Sequence, residues 1–170
     1  MAKRVQRITP FLWFDEQAGE AAHFYVSIFE NSRVTGVTHY DEAGSQAAGR
    51  PKGSVMTVAF ELAGQEFTAI NGGPVFTFTE AISFVVNCKN QKEVDHFWEK
   101  LTSDGGQEVQ CGWLKDKFGM AWQVTPRVLL EMLQDTDAER AQRAMAAMLT
   151  MKKIDIAALE EAFGGRPGKS

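Results

Sequence analysis

The chain has few cysteines and no long apolar run. Cys88 and Cys111 are its only cysteines, and their spacing fits neither a disulfide framework nor a cysteine-rich metal site. No stretch approaches the roughly 20 apolar residues that a membrane helix needs. The basic start of the chain is not followed by the apolar core of a signal peptide. The sequence therefore predicts a cytoplasmic protein that does not contact a membrane.

The chain also lacks a clustered basic charge. Its 18 Lys and Arg residues are scattered, and with 22 Asp and Glu residues they give a net charge of −4. Since phosphate contacts need a clustered basic face, nucleic acid is not the expected partner. A hydrophobic content of 44% in 170 residues is enough for one domain or two small fused modules.

Two parts of the chain resemble each other at an offset of 73 residues. This offset places residues 8–11 on residues 81–84 and His23 on His96, without a gap. Each copy begins with an apolar run typical of a buried strand, continues with apolar residues at helical spacing, and ends with shorter strands. The sequence therefore predicts an α+β protein made of tandem βαβββ modules.

The predicted boundaries follow from this repeat. Residues 1–126 form a domain with module one at 6–74 and module two at 79–126. Proline at the end of residues 79–126 closes the sheet, because proline cannot donate to a strand ladder. A helical extension is expected at 127–163, and Gly-rich residues 164–170 are expected to form a disordered tail.

Several local features carry predictions of their own. Asp15 and Asn90 are expected to be N-caps of the two module helices. The Gly-rich segment 41–53 is expected to be a mobile loop. Residues 115–117 read as a solvated hairpin tip, and a Met and Ala stripe at 141–149 as a packing surface, either for the sheet or for a partner subunit.

Several segments resemble the vicinal-oxygen-chelate superfamily of glyoxalase I, extradiol dioxygenases and bleomycin-resistance proteins. They are similar above all to its PhnB-like branch, whose members often carry the name 3-demethylubiquinone-9 3-methyltransferase. The similar segments are residues 8–14, 53–56, 69–73, 111–119 (CGWLKDKFG) and 122–126 (WQVTP). The resemblance covers residues 6–126 and extends into the tail at 152–160. It implies curled mixed sheets around a cleft, and homodimers that often exchange modules.

Metal-dependent members of this superfamily place His or Glu on the first and last strands of each module. The corresponding positions are Ile8 or Thr9, Ala81 or Ile82, Ala69 or Asn71, and Gln123. The neutral amide of Gln123 is a poor ligand for a hard cation. We therefore expect no cofactor and no metal, with a weakly bound divalent metal as the alternative.

The remaining reactive residue types are interpreted as structural. The three histidines, His23, His39 and His96, are expected on helices or at the surface. Cys111 has no adjacent base that would make it a nucleophile. The glycine pairs at 72–73 and 105–106 do not link a strand to a following helix, as a doubly wound methyltransferase requires. We therefore expect no methyltransferase activity.

Aromatic and polar residues of the predicted strands are the candidates for a ligand cleft. They are Phe11, Trp13, Thr68, Asn71, Ser83, Trp113, Trp122 and Gln123. The same aromatic side chains could instead fill the core. The favoured function is metal-free binding of an unidentified small molecule, as in bleomycin resistance. The alternatives are a superfamily enzyme of unknown substrate, metal-dependent or not, and a structural dimer without a ligand.

Overall fold

Two four-stranded mixed sheets organise the chain. The structure is a computed structural model that describes residues 6–165. It divides into unit 1, Met1–Phe78, and unit 2, Thr79–Ser170. The sequence predicts a disordered tail at 164–170. Residues 166–170 of this tail lie outside the described part of the chain. Among the helices of residues 6–165, none combines the length and hydropathy needed to cross a bilayer.

Unit 1 has the predicted βαβββ order with one added helix. Its elements are β1 (Phe11–Phe14), α1 (Ala18–Ile28), β2 (Arg33–His39), α2 (Glu42–Ala48), β3 (Val55–Leu62) and β4 (Gln65–Asn71). The strand order is β1-β4-β3-β2, with β1 parallel to β4. Ala63 and Gly64, both with positive φ, make the tight turn between β3 and β4 that the sequence predicts.

Unit 2 repeats this topology and adds three helices. Its elements are β5 (Phe84–Cys88), α3 (Gln91–Thr102), β6 (Gln107–Glu108), β7 (Trp113–Lys115), β8 (Ala121–Pro126), α4 (Arg127–Leu133), α5 (Ala138–Met148) and α6 (Ile156–Phe163). The strand order β5-β8-β7-β6, with β5 parallel to β8, matches that of unit 1. The α+β fold of two tandem βαβββ modules with a helical extension is confirmed.

Each sheet has one face packed against the helix of its own module, here called the core face, and an opposite open face. In unit 1, Leu12 and Phe14 of β1 are buried, while Phe11 is 60% exposed. Tyr25 of α1 stacks on Phe60 of β3, with 6.2 Å between the ring centroids. This alternation follows from the two-residue period of a strand.

The 73-residue offset holds for the two module helices. Their buried residues correspond at this spacing: Ala21 with Val94, Tyr25 with Trp98, and Ile28 with Leu101. The helices therefore present the same face to their sheets.

The alignment of the two modules without a gap is wrong for their first strands. It aligns buried Leu12 with Val85, which is 47% exposed, whereas the buried residues of β5 are Val86 and Cys88. A shift of one residue turns a strand over. The connection between strand and helix therefore differs by one residue between the modules, and a gap is needed there.

Segment 41–53 was predicted as a mobile loop, and this prediction is wrong. It contains α2, whose first turn is capped by the Asp41 side chain, which accepts a hydrogen bond from the Gly44 N–H at 2.7 Å. Gly49 ends the helix in the left-handed conformation, with φ 65°. An Asp N-cap and a Gly C-cap thus define a short helix within a Gly-rich composition.

The prediction of a solvated hairpin tip at 115–117 is also wrong for its central residue, Asp116. Asp116 is only 3% exposed. Its carboxylate accepts hydrogen bonds from the backbone N–H groups of Phe118 and Met120 and from the indole N–H of Trp122. Because these bonds satisfy the carboxylate, it can be buried and hold the turn between β7 and β8.

The C-terminal helices have a core of their own within unit 2. Its buried members are Leu129, Met132, Ala144, Ile154 and Leu159. Ala144 and the partly buried Met148 confirm that the Met and Ala stripe packs, but it packs within this helical cluster, while Met145 and Leu149 are exposed.

The segment between α5 and α6 is tied to the module. The backbone N–H groups of Cys111 and Gly112 donate to the carbonyl oxygens of Met151 and Lys152, at 2.8 and 2.7 Å. The Gln91 side chain bonds to the Ile154 carbonyl at 3.0 Å. The extension is therefore part of the folded body of unit 2.

We predict that Ile154→Ala lowers the free energy of unfolding by about 2–5 kcal/mol, because it leaves a cavity in the core of the C-terminal helices. The matched control Leu149→Ala deletes as many atoms from a side chain that is 59% exposed, and should change stability by less than about 0.5 kcal/mol. Urea denaturation followed by circular dichroism measures both. Equal losses would show that Ile154 does not contribute to such a core.

Candidate functional site

The open face of unit 2 brings together three of the predicted cleft residues. Trp113 of β7 and Gln123 of β8 are register partners, so their side chains lie on the same face. The amide Nε2 of Gln123 donates to the hydroxyl Oγ of Ser83 at 2.9 Å. Val85 of β5 is the partner of Gln123 on its other side and is 47% exposed. The result is a half-buried aromatic and amide surface beside an exposed apolar side chain.

Lys115 adds a cation to this face, because it follows Trp113 by two residues on the same strand. Its Nζ lies 2.5 Å from Oε1 of Glu80, and its side chain is 31% exposed. The hydrogen bond from Lys115 lowers the pKa of the Glu80 carboxyl. The sequence predicts that Lys115 lies in a solvated hairpin tip. It does not reveal the contact with Glu80, because the two residues are far apart in the chain.

The indole N–H of Trp113 differs in its hydrogen bonding from those of the other three tryptophans. The indole N–H groups of Trp13, Trp98 and Trp122 donate to the Gly73 carbonyl, the Glu108 carboxylate and the Asp116 carboxylate, respectively. The indole N–H of Trp113 has no hydrogen-bond partner among the residues that the structure describes. It therefore offers a free donor on the open face.

The open face of unit 1 carries three further predicted cleft residues. Phe11 and Thr68 are register partners across β1 and β4, and Trp13 lies two residues beyond Phe11 on the same face. The Trp13 indole N–H donates to the Gly73 carbonyl at 2.9 Å, and its ring packs edge-on against Phe76. Trp13 is thus held in one orientation.

Trp122 and Asn71 lie on the core faces, away from the other candidates. Trp122 is 3% exposed and packs against Phe84, and its indole N–H is bonded to Asp116. Trp122 therefore fills the core, which is the alternative that the sequence left open, because a residue next to Gln123 on a strand points to the opposite face.

Asn71 caps α1 from a strand that is distant in sequence. Its Oδ1 accepts a hydrogen bond from the Ala18 N–H at 2.8 Å, and its Nδ2 donates to the Val55 carbonyl at 3.1 Å. The predicted N-cap Asp15 is wrong, since α1 begins after Gln17. Asn90, by contrast, caps α3 as predicted, through the N–H of Glu93.

A cavity of about 360 Å³ opens beside Asn71 on this side of unit 1. It is lined by Glu16, Gly19, Glu20, Arg50, Pro51, Ser54, Val55 and Asn71. The Arg50 guanidinium donates to Glu16 at 2.8 Å and lies 3.8 Å from the Asp15 carboxylate, while its buried Nε has no hydrogen-bond partner among the described residues. Sequence reasoning missed this cavity because Arg50 lies in the segment predicted to be a loop.

The residues present do not fit a divalent metal. Within residues 6–165 no group of three His, Cys, Asp or Glu side chains converges. The open faces instead carry Phe11 and Thr68 in unit 1 and Val85 and Gln123 in unit 2, whereas a metal site needs several anionic or imidazole ligands.

The three histidines lie at the surface, Cys111 is half-buried and Cys88 is buried. His23, His39 and His96 are exposed on α1, β2 and α3. Burial raises the pKa of the Cys88 thiol to about 12, which leaves it unreactive at neutral pH. Neither the glycine pair at 72–73 nor the pair at 105–106 joins a strand to a following helix: the first follows β4 and precedes β5, and the second precedes β6.

We predict that Asn71→Ala lowers the free energy of unfolding by about 1–3 kcal/mol, because it leaves the buried N–H of Ala18 without its acceptor. The control Asn90→Ala removes an exposed cap from α3 and should cost about 1 kcal/mol or less. Urea titration compares the two variants. A smaller loss for Asn71→Ala than for Asn90→Ala would contradict the role given to Asn71.

We predict that Gly72→Ala destabilises the protein by about 1–3 kcal/mol through overpacking. A Cβ at Gly72 would lie 2.1 Å from Cζ2 of Trp13, whereas one at Gly36 would meet nothing within 4 Å. Gly36→Ala is therefore the control. In a Trp13→Ala background the Gly72→Ala loss should shrink, and a double-mutant cycle of thermal unfolding measures the coupling. Additive losses would rule out the contact as the cause.

Comparison with known proteins agrees with this architecture. The family model described as "3-demethylubiquinone-9 3-methyltransferase" matches residues 6–125. A Bacillus cereus structure described as a putative 3-demethylubiquinone-9 3-methyltransferase, PhnB protein, is 38% identical with a TM-score of 0.62, over 71% of this chain and 99% of that chain. No functionally curated protein matches the chain.

A more distant structure also shares the fold. Protein PA1353 from Pseudomonas aeruginosa is 18% identical with a TM-score of 0.56, over 72% of this chain and 98% of that one. A glyoxalase-related enzyme from Fulvimarina pelagi is 13% identical with a TM-score of 0.46, over 73% and 91%. The family match ends at residue 125, so helices α4–α6 lie beyond it. The segment 152–160, which the sequence analysis found to resemble the family, also lies beyond it. The chain belongs to the PhnB-like family that is described as 3-demethylubiquinone-9 3-methyltransferase.

Proposed function

We propose that the chain is a small-molecule binding protein that works without a metal, and that the open face of unit 2 is its binding surface. The observation that carries this proposal is the register pairing of Trp113 with Gln123, whose amide is oriented by Ser83. Ligand sites combine apolar surface with a few oriented polar groups. Trp113 and the exposed Val85 supply the apolar surface, and Gln123 supplies the oriented polar group.

The open face of unit 1 supports the same function by a similar composition. Phe11, Trp13 and Thr68 place two aromatic rings and one hydroxyl on it, and the Gly73 carbonyl fixes the Trp13 ring. A ring that is already held in place loses little conformational entropy on binding. This face is therefore a second surface to which an apolar ligand group can bind.

The methyltransferase activity in the family's description is not part of the proposal. Each sheet is mixed, and its parallel pair joins the first and last strands of the module. The glycine pairs at 72–73 and 105–106 lead into strands and not into helices. The loop that holds a methyl-donor cofactor in doubly wound enzymes thus has no counterpart among the described residues.

We also propose a cytoplasmic homodimer. The first strand of each sheet is an edge strand. Large apolar side chains in and around these edges are exposed, among them Ile8 (81%), Val75 (66%) and Ile82 (60%). Exposed apolar groups of this size favour association with a partner of the same kind. Light scattering coupled to gel filtration measures the mass directly, and a monomer at all concentrations would contradict the proposal.

The binding function is tested by a thermal-shift screen of small aromatic compounds, before and after treatment with EDTA. A ligand at 100 times its Kd should stabilise the protein by about 2.7 kcal/mol, and EDTA should not change the shift. By calorimetry, Gln123→Ala should then weaken the binding of a positive compound about tenfold, by loss of one oriented hydrogen bond.

Gln46→Ala is the control for this experiment, because Gln46 is exposed on α2 and lies on neither open face. Its affinity should equal that of the unaltered protein. The proposal is wrong if no compound binds, if EDTA abolishes binding, or if Gln123→Ala and Gln46→Ala behave alike.

A further inference from the structure

The open face of unit 2 presents several hydrogen-bond donors to a ligand, beside the Gln123 amide oxygen and the Glu80 carboxylate as acceptors. The indole N–H of Trp113 has no partner among the described residues. The Lys115 ammonium has three donors, and Glu80 occupies one of them. The Gln123 amide uses one N–H on Ser83 and retains the other. Acceptor oxygens of a ligand can pair with these donors, and a negative charge can pair with Lys115 in place of Glu80.

The arrangement of these donors restricts where the negative charge can lie. Trp113 and Lys115 are two residues apart on β7, so their Cα atoms are about 6.6 Å apart and their side chains extend from the same face. On the far side of Gln123 lies Val85, which is apolar and 47% exposed. The face thus runs from a donor-rich, cationic side at β7 to an apolar side at β5.

We propose that this face binds a small apolar carboxylic acid as its carboxylate. The carboxylate accepts hydrogen bonds from the Lys115 ammonium and the Trp113 indole, and the apolar body covers Val85. This inference rests on the proposed function and adds the class of ligand to it. The two oxygens of a carboxylate can accept from both donors at once, which a neutral amide with one oxygen does less well.

Glu80 is an internal competitor for this ligand. Its carboxylate is 57% exposed, so its ion pair with Lys115 is screened by solvent and contributes little to stability. Glu80 and Ser83 belong to the segment before β5, and each contacts one side chain of the open face. A ligand carboxylate can therefore replace Glu80 at Lys115 without disturbing the sheet.

Two probes that differ in charge test the inference by calorimetry: phenylacetate and the neutral phenylacetamide. The full-length protein should bind phenylacetate about tenfold more tightly than phenylacetamide, as one charge-assisted contact allows. Lys115→Met should remove this preference. Glu80→Gln should tighten phenylacetate binding and leave phenylacetamide binding unchanged. Lys100→Met, at an exposed position on α3, is the control and should retain the preference.

The possible outcomes separate this inference from the proposed function. If both probes bind equally, or if Lys115→Met keeps the preference for phenylacetate, the inference is wrong while small-molecule binding stands. If neither probe binds, the inference is also wrong, and the compound screen with Gln123→Ala decides the proposed function independently. Urea titration of Lys115→Met establishes that a lost preference does not come from unfolding.

Discussion

The parallel pairing of the first and last strands of each module determines most of what this structure can do. In unit 1 it joins β1 to β4, and in unit 2 it joins β5 to β8. Because side chains alternate along paired strands, the register decides which residues pack on the module helix and which remain on the open face. Gln123 and Trp122 are neighbours in sequence, yet one faces outward and the other is buried.

The periodic features of the sequence predicted the larger part of the fold. The repeat, the order of strands and helices, the turn at Ala63 and the cap at Asn90 depend on local spacing, which the sequence displays directly. The register of β5 could not be predicted from the sequence. Apolar residues occupy both faces of that strand, so a one-residue shift leaves its apolar pattern similar. Helix α2 was missed because its caps, Asp41 and Gly49, were read as loop residues.

Only some of the candidate cleft residues lie on an open face, for a related reason. Six of the eight residues lie on an open face, three in each unit: Phe11, Trp13, Thr68, Ser83, Trp113 and Gln123. Asn71 and Trp122 have polar groups that suggested a ligand role, but these groups bond to Ala18 and Asp116. Contacts between residues far apart in sequence, such as that of Lys115 with Glu80, leave no local pattern to read.

The unpartnered indole of Trp113 makes the central claim directly measurable. The protein has four tryptophans, and the indole N–H of each gives a separate signal in a nitrogen–proton correlation spectrum. Titration with a compound that stabilises the protein should shift the Trp113 signal, identified by its loss in Trp113→Phe, and leave the buried Trp122 signal in place. An unchanged Trp113 signal at saturation would contradict the assignment of the open face of unit 2 as the binding surface.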